Sequence, residues 1–162
     1  MKLCERQRYT LIVRKSFSYE LSQNGKVCQF SKPSTKPKVT KIYTVTIGKK
    51  LIYVGISNQS MASRLNYGLK ANVKSGYTGY KWKKLYDQRL TLNIWFFKSR
   101  KEEYIRLTKK KIREIEAIEA EVVYLCRNKT KQWPEYQHEI HFHKSDAKQR
   151  KYAQSIYKDV LM

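Results

Sequence analysis

Two runs of β-branched and aromatic residues, 42–47 (IYTVTI) and 51–56 (LIYVGI), stand three residues apart. Runs of this kind favour pleated strands, and Gly48-Lys49-Lys50 is a connector that suits a hairpin. With a three-residue loop, Ile47 faces Leu51, Val45 faces Tyr53 and Tyr43 faces Gly55. Side chains alternate along a strand, so Tyr43 and Tyr53 project from one face as diagonal neighbours. Gly55 leaves open space beside the first ring, and two phenols beside such a space suit a water and a phosphate. Taken alone, two tyrosines on a hairpin more often mean ordinary strand packing.

The rest of the chain arranges itself around that hairpin. Residues 90–97 read as a third strand. Residues 57–60 suit a helix N-cap, and a helix over 61–73 follows, interrupted by Gly68. A loop over 75–79 precedes a short helix over 80–88 with Trp82 and Leu85 inward. A long helix over 101–127 is predicted because Ile112, Ile115, Ile118, Val122 and Leu125 recur every three or four residues. The expected architecture is α+β: a small three-stranded antiparallel sheet flanked by helices. Before it, residues 1–40 hold strand-like pieces at 9–13, 17–21 and 27–30, with an Asn24-Gly25 turn, which extend or flank the sheet. They end in a basic arm, SKPSTKPK, at 31–38. After the core of 41–137, residues 138–162 hold a strand-like piece at 139–143 and a basic helix near 146–161.

Charge narrows the partners. Thirty-five Lys and Arg face 13 Asp and Glu, a net of +22. Such a chain repels itself, and nucleic acid relieves that by giving up condensed counterions. Thirteen tyrosines scattered among the basic residues add stacking surface. A membrane surface is the rival polyanion, but apart from the tail no basic amphipathic helix supports it, and no apolar run spans a bilayer. Cys4, Cys28 and Cys126 form no CxxC pair and follow no secretory segment. Free thiols in a reducing cytoplasm are therefore expected.

Ordered landmarks now give the tyrosines a context. Lys41-Ile42-Tyr43 and Tyr53-Val54-Gly55 lie about ten residues apart. Ser63-Arg64-Leu65 follows after a similar interval, and Ala120-Glu121-Val122-Val123-Tyr124-Leu125 precedes Trp133-Pro134-Glu135-Tyr136. In this order and spacing, residues 41–137 resemble the GIY-YIG nuclease family. The resemblance implies phosphodiester hydrolysis in double-stranded DNA with one Mg²⁺, replaceable by Mn²⁺. It makes Tyr43 the base, Tyr53 the positioner of phosphate or water, Arg64 the stabiliser of transition-state charge and Glu121 the metal ligand. The chemistry suits these types. A carboxylate holds a hydrated Mg²⁺, an Arg fork fits phosphate oxygens, and a phenol near cations activates water. Helical phase does not choose between Glu119 and Glu121; the family pattern chooses Glu121.

The sequence departs from the family at accessory positions. Lys41 replaces the first Gly. Gly68 stands four residues after Arg64, where the family often has Tyr or His, with Tyr67 one earlier. Gln137 stands where an Asn is usual. Tyr67, Lys41 and Gln137 are the accessory candidates. Lys36, Lys38, Lys70, Lys81, Lys83, Lys84, His141 and His143 are candidate DNA contacts, and the insertion over 77–84 suits a groove. The spacing of His138, Glu139, His141 and His143 fails the zinc-protease pattern, so a phosphate or base contact is the better reading. The small plan resembles a type II restriction endonuclease of that family, for which a palindromic target would favour a homodimer. The alternatives are a low-specificity phage, mobile-element or repair nuclease, and a basic binder without catalysis.

Overall fold

In the computed structural model, which describes residues 1–72, 78–106 and 108–162, the hairpin belongs to a six-stranded sheet rather than a small three-stranded one. The strands are β1 (Lys2–Val13), β2 (Tyr19–Gln23), β3 (Lys26–Cys28), β4 (Lys41–Ile47), β5 (Lys50–Ser57) and β6 (Leu90–Lys98). Their order is β3-β2-β1-β6-β4-β5, and each paired edge is antiparallel. The correction has a physical cause. β6 is apolar on both faces, with Leu92, Ile94 and Phe96 on one and Trp95 and Phe97 on the other, all buried. Such a strand belongs inside a sheet, and β1 pairs along it from Lys2 with Lys98 to Leu11 with Leu90. The N-terminal residues thus extend the sheet.

The hairpin register holds where it matters and slips at the turn. Tyr43 pairs with Gly55 and Val45 with Tyr53 as expected, but Ile47 pairs with Lys50 instead of Leu51. Gly48, at a φ of 55°, helps close a two-residue turn. The extra residue on β5 becomes a bulge between Tyr53 and Leu51.

Alternation divides the core in two. On one face, Tyr9, Tyr43, Val45 and Ile94 pack beneath α1 (Met61–Lys70), which buries Met61, Leu65 and Leu69 at four-residue steps. The Ser60 side chain accepts from the Ser63 N–H and caps α1. The helix stops at Lys70, earlier than predicted; Val73, Ser75, Gly76 and Tyr77 of the predicted helix end, loop and insertion lie outside the described residues. In place of a helix over 80–88 there is a single 3-10 turn, Lys81–Lys84. Leu85 caps it with its N–H on the Trp82 carbonyl, and Asp87, at a φ of 58°, then donates its N–H to the Val13 carbonyl of β1. Trp82 is buried and Leu85 half-buried.

The other face carries α2 (Lys109–Thr130) and α3 (Ala147–Leu161) over Ile42, Val54, Trp95 and Phe97. Ile115, Ile118 and Val122 are fully buried, while Ile112 and Leu125 are half-buried. The predicted start near 101 is wrong by two turns, because the Ser99 N–H donates to the Glu103 carbonyl and the Ile105 N–H to the Phe97 carbonyl, in a turn that folds residues 99–105 back onto β6. The basic tail helix forms with an Asp146–Gln149 capping box, and it buries Ala153, Ile156 and Val160 in this second core. Residues 139–143 form no strand. Among the described residues, no helix is long and apolar enough to cross a membrane, and the three cysteines are free.

Candidate active site

β5 is an edge strand, and its outer edge is where the two helical layers meet. Residues after α2 cover that edge: the Tyr136 N–H donates to the Ile52 carbonyl at 3.0 Å, and the Gln137 Oε1 accepts from the Val54 N–H at 2.9 Å. Covering an edge this way removes an unpaired strand. Beside it opens a cleft of about 260 Å³, lined among others by Tyr53 of β5, Arg64 of α1, Glu116 and Glu119 of α2, Gln137 and His141.

Three phenols and a guanidinium cluster at this cleft, with Tyr53 and Arg64 lining it and Tyr43 and Tyr80 behind. Tyr43 is completely buried. Its oxygen lies 2.8 Å from the Tyr80 hydroxyl, and the Arg64 Nε donates to it at 3.2 Å. The Tyr43 and Tyr53 rings are 6.0 Å apart. The space expected beside Gly55 exists, and the rings themselves fill it: a Cβ on Gly55 would lie 2.6 Å from the Tyr43 oxygen and 2.8 Å from the Tyr53 ring. Tyr53 is the phenol that lines the cleft, and Tyr43 stands behind it.

Burial pushes all three phenols above their ordinary value. For Tyr43 that push is opposed by the Arg64 charge and by hydrogen bonds from Tyr80, Arg64 and Tyr53. For Tyr53 and Tyr80 the largest further influence is Tyr43 itself, which raises them. A phenolate in this cluster therefore sits best on Tyr43.

Three carboxylates line the cleft, Glu116, Glu119 and Glu139, and of these Glu119 is the buried one. Its carboxyl is pushed up to about 8 by burial first and by Glu116 second, against the pull of Arg64. Glu121 does not join this group; its carboxylate accepts a hydrogen bond from the Ser145 hydroxyl, just before α3. Two residues on a helix are separated by roughly 200° of rotation, which carries Glu121 away from the face that Glu119 presents. Hydropathy could not separate them, because both flank the buried stripe.

The accessory candidates have mixed fates. Lys41 is turned away and structural: its ammonium donates to the carbonyls of Lys36, Val39 and Gln59 at 2.7–2.8 Å. Gln137 borders the cleft but uses its oxygen on β5. Tyr67 lies on the outer face of α1, 55% exposed. Tyr80, which the sequence reading did not single out, takes the inner position. Lys36, Lys38, Lys70, Lys81 and Lys84 are exposed. Lys81, Lys83 and Lys84 border a hollow of about 470 Å³ that shares Tyr80 with the phenol cluster; Lys83 donates to the Ala71 carbonyl. His143 pairs with Glu116 at 2.8 Å, and His141 lies 3.9 Å from the same carboxylate.

Comparisons of the chain with protein-family models, curated proteins and solved structures found no match.

Proposed function

We propose that the cleft at the β5 edge is the centre of a metal-dependent endonuclease of GIY-YIG type acting on double-stranded DNA. One observation carries the reading: Arg64 and Glu119, from helices on opposite faces of the sheet, meet beside Tyr53 in one cleft backed by Tyr43. A cation, a phosphate and a water each find a partner there. The net charge of +22 suits a polyanionic substrate.

The donor set fits a hydrated Mg²⁺ and not a metal cage. Among the described residues no group of three or more His, Cys, Asp or Glu side chains suits a metal ion, whereas Mg²⁺ keeps most of its waters and takes one or two carboxylates. Glu119 would hold it, in the place first expected of Glu121, and Mn²⁺ would substitute. When bound, the cation neutralises charge on the phosphate and at the leaving oxygen. The chain supplies the rest. Arg64 directs its guanidinium to the non-bridging oxygens. Tyr53 holds the attacking water in line. The base is Tyr43 in its phenolate form: as the water oxygen bonds phosphorus and the bond to the leaving oxygen breaks, the water's proton passes to Tyr53 while Tyr53 gives its own to the Tyr43 phenolate, which ends the step as a neutral phenol. The leaving oxygen takes a proton from solvent. Exposed lysines on the arm, on α1 and around residues 81–84, with His141 at the cleft, would hold the DNA backbone.

We read the enzyme as sequence-specific, in the manner of a type II restriction endonuclease, with a homodimer on a palindromic target. Plasmid incubated with protein and Mg²⁺ tests both levels. The wild type is expected to cut, and chelator to stop it. Arg64→Ala is expected to bind the same DNA but cut at least about 100-fold more slowly, the usual cost of losing a transition-state donor. Discrete fragments fit restriction; a smear fits a low-specificity nuclease. A wild type that binds without cutting, in Mg²⁺ or Mn²⁺, would mark a non-catalytic binder.

A further inference from the structure

Tyr80 touches every group behind the cleft. Its hydroxyl lies 2.8 Å from that of Tyr43 and 3.4 Å from the Arg64 carbonyl. The Arg64 guanidinium sits 5.3 Å from its ring centroid, the Tyr53 ring meets it at 5.5 Å, and Trp82 stacks on it at 4.5 Å. Its delivery requires two glycines. A Cβ on Gly68 would lie 2.2 Å from the Tyr80 ring. A Cβ on Gly79, which has a φ of 67°, would lie 2.3 Å from the Gly68 carbonyl oxygen. That same carbonyl accepts the Tyr80 N–H at 2.9 Å. The segment at 79–80 therefore lies directly on α1 at the one helical position without a side chain, and the phenol enters there. A helical Gly costs roughly 1 kcal/mol against Ala, so an open position of this kind calls for a reason.

We propose that Tyr80 is a positioning residue for Tyr43: its hydroxyl, brought in through the gap at Gly68, turns its one proton from the distant Arg64 carbonyl at 3.4 Å to the Tyr43 oxygen at 2.8 Å when Tyr43 is a phenolate, and so makes Tyr43 the acceptor of the cluster. The charged and titratable groups facing Tyr43 are Arg64 from α1, Tyr53 from β5 and Tyr80 itself; its neighbours across the sheet, Gly55 and Ile94, carry no charge. With Tyr80 in place, a phenolate on Tyr43 is met by three donors. Without the Tyr80 hydroxyl it loses one of them, while the ring of a Tyr80→Phe variant still fills the gap. The consequence for turnover rests on the nuclease reading; the hydrogen bond and its effect on Tyr43 do not.

Tyrosine labelled with ¹³C at Cζ reports ionisation directly, and Tyr43→Phe assigns the Tyr43 signal. In the wild type, Tyr43 is expected to ionise ahead of Tyr80. In Tyr80→Phe its titration should move up by about one to two pH units, the equivalent of one hydrogen bond to a charged group. A Tyr43 signal that ionises after Tyr80, that stays neutral until the protein unfolds, or that is unmoved in Tyr80→Phe overturns the proposal. On DNA, Tyr80→Phe should lower kcat with little change in KM, and equal turnover would also overturn it. A wild type that does not cut DNA would contradict the nuclease reading alone, and the titration would still decide the role of Tyr80.

Discussion

A carboxyl group buried beside a second carboxylate resists ionisation, and Glu119 is such a group. Its carboxyl is raised from the usual 4.5 to about 8, chiefly by burial. Two consequences follow in sign. A raised folded value means that neutral Glu119 favours the folded state. That contribution is fully present below 4.5 and is lost as pH rises through about 8. Without metal, the wild type should therefore lose stability relative to Glu119→Gln across this window, as thermal melts at stepped pH would register. Metal binding runs the other way. In the proposed site Mg²⁺ needs the carboxylate, so its affinity should climb up to about tenfold per pH unit below about 8 and level off above it, with close to one proton released. Calorimetry in buffers of different ionisation enthalpy measures that proton. A pH-independent affinity would remove Glu119 from the proposed metal site. At this scale the sequence was only partly legible. Tyr43, Tyr53 and Arg64 were readable because hairpin register and ordered spacing constrain them. Glu119 was not, because two carboxylates flanking one apolar stripe look alike until the cleft is built. Tyr80 was hidden for another reason: its signal is a glycine in a helix, which by itself announces only a missing side chain.

Elements followed their local rules wherever those rules had no competitor. The hairpin, β6, α1 and the capped tail helix appear where periodicity and caps place them. Failures occurred where long-range bonds took over. The predicted start of α2 gave way to a turn held by the Ile105 N–H on the Phe97 carbonyl, and the strand-like piece at 139–143 found no strand partner. The size of the sheet was underestimated because pairing between β1 and β6 joins residues some ninety apart, which no local pattern reveals. One helix end invites a stability test. Lys131 ends α2 in the left-handed conformation, at a φ of 63°. Side chains there cost energy that Gly avoids, so Lys131→Gly should stabilise the fold by about 1 kcal/mol. Denaturant melts that show a loss instead would mean that the Lys131 ammonium, which donates to the Asn128 carbonyl, contributes more than the strain removes.

For the molecule as a whole, charge and architecture bear on the same function. On the proposed reading, a net of +22 on 162 residues ties affinity for DNA to counterion release. Six to ten phosphate contacts would lower affinity by about 10³- to 10⁵-fold between about 50 and 200 mM salt. Fluorescence anisotropy with a labelled duplex measures this, and a flat dependence would contradict phosphate-driven binding. The tail helix that supplies part of that charge is also structural, since it buries Ile156 and Val160 against the second core. Basic surface and fold are therefore not separable by simple truncation. The architecture sets two helices against one sheet edge, and that edge carries the central claim. Glu119→Gln and Glu121→Gln, compared side by side in plasmid cleavage with Mg²⁺, test it most directly. The cleft at β5 predicts that Glu119→Gln abolishes cutting while retaining DNA binding, and that Glu121→Gln cuts at nearly the wild-type rate. Loss of cutting in Glu121→Gln with full activity in Glu119→Gln would contradict it.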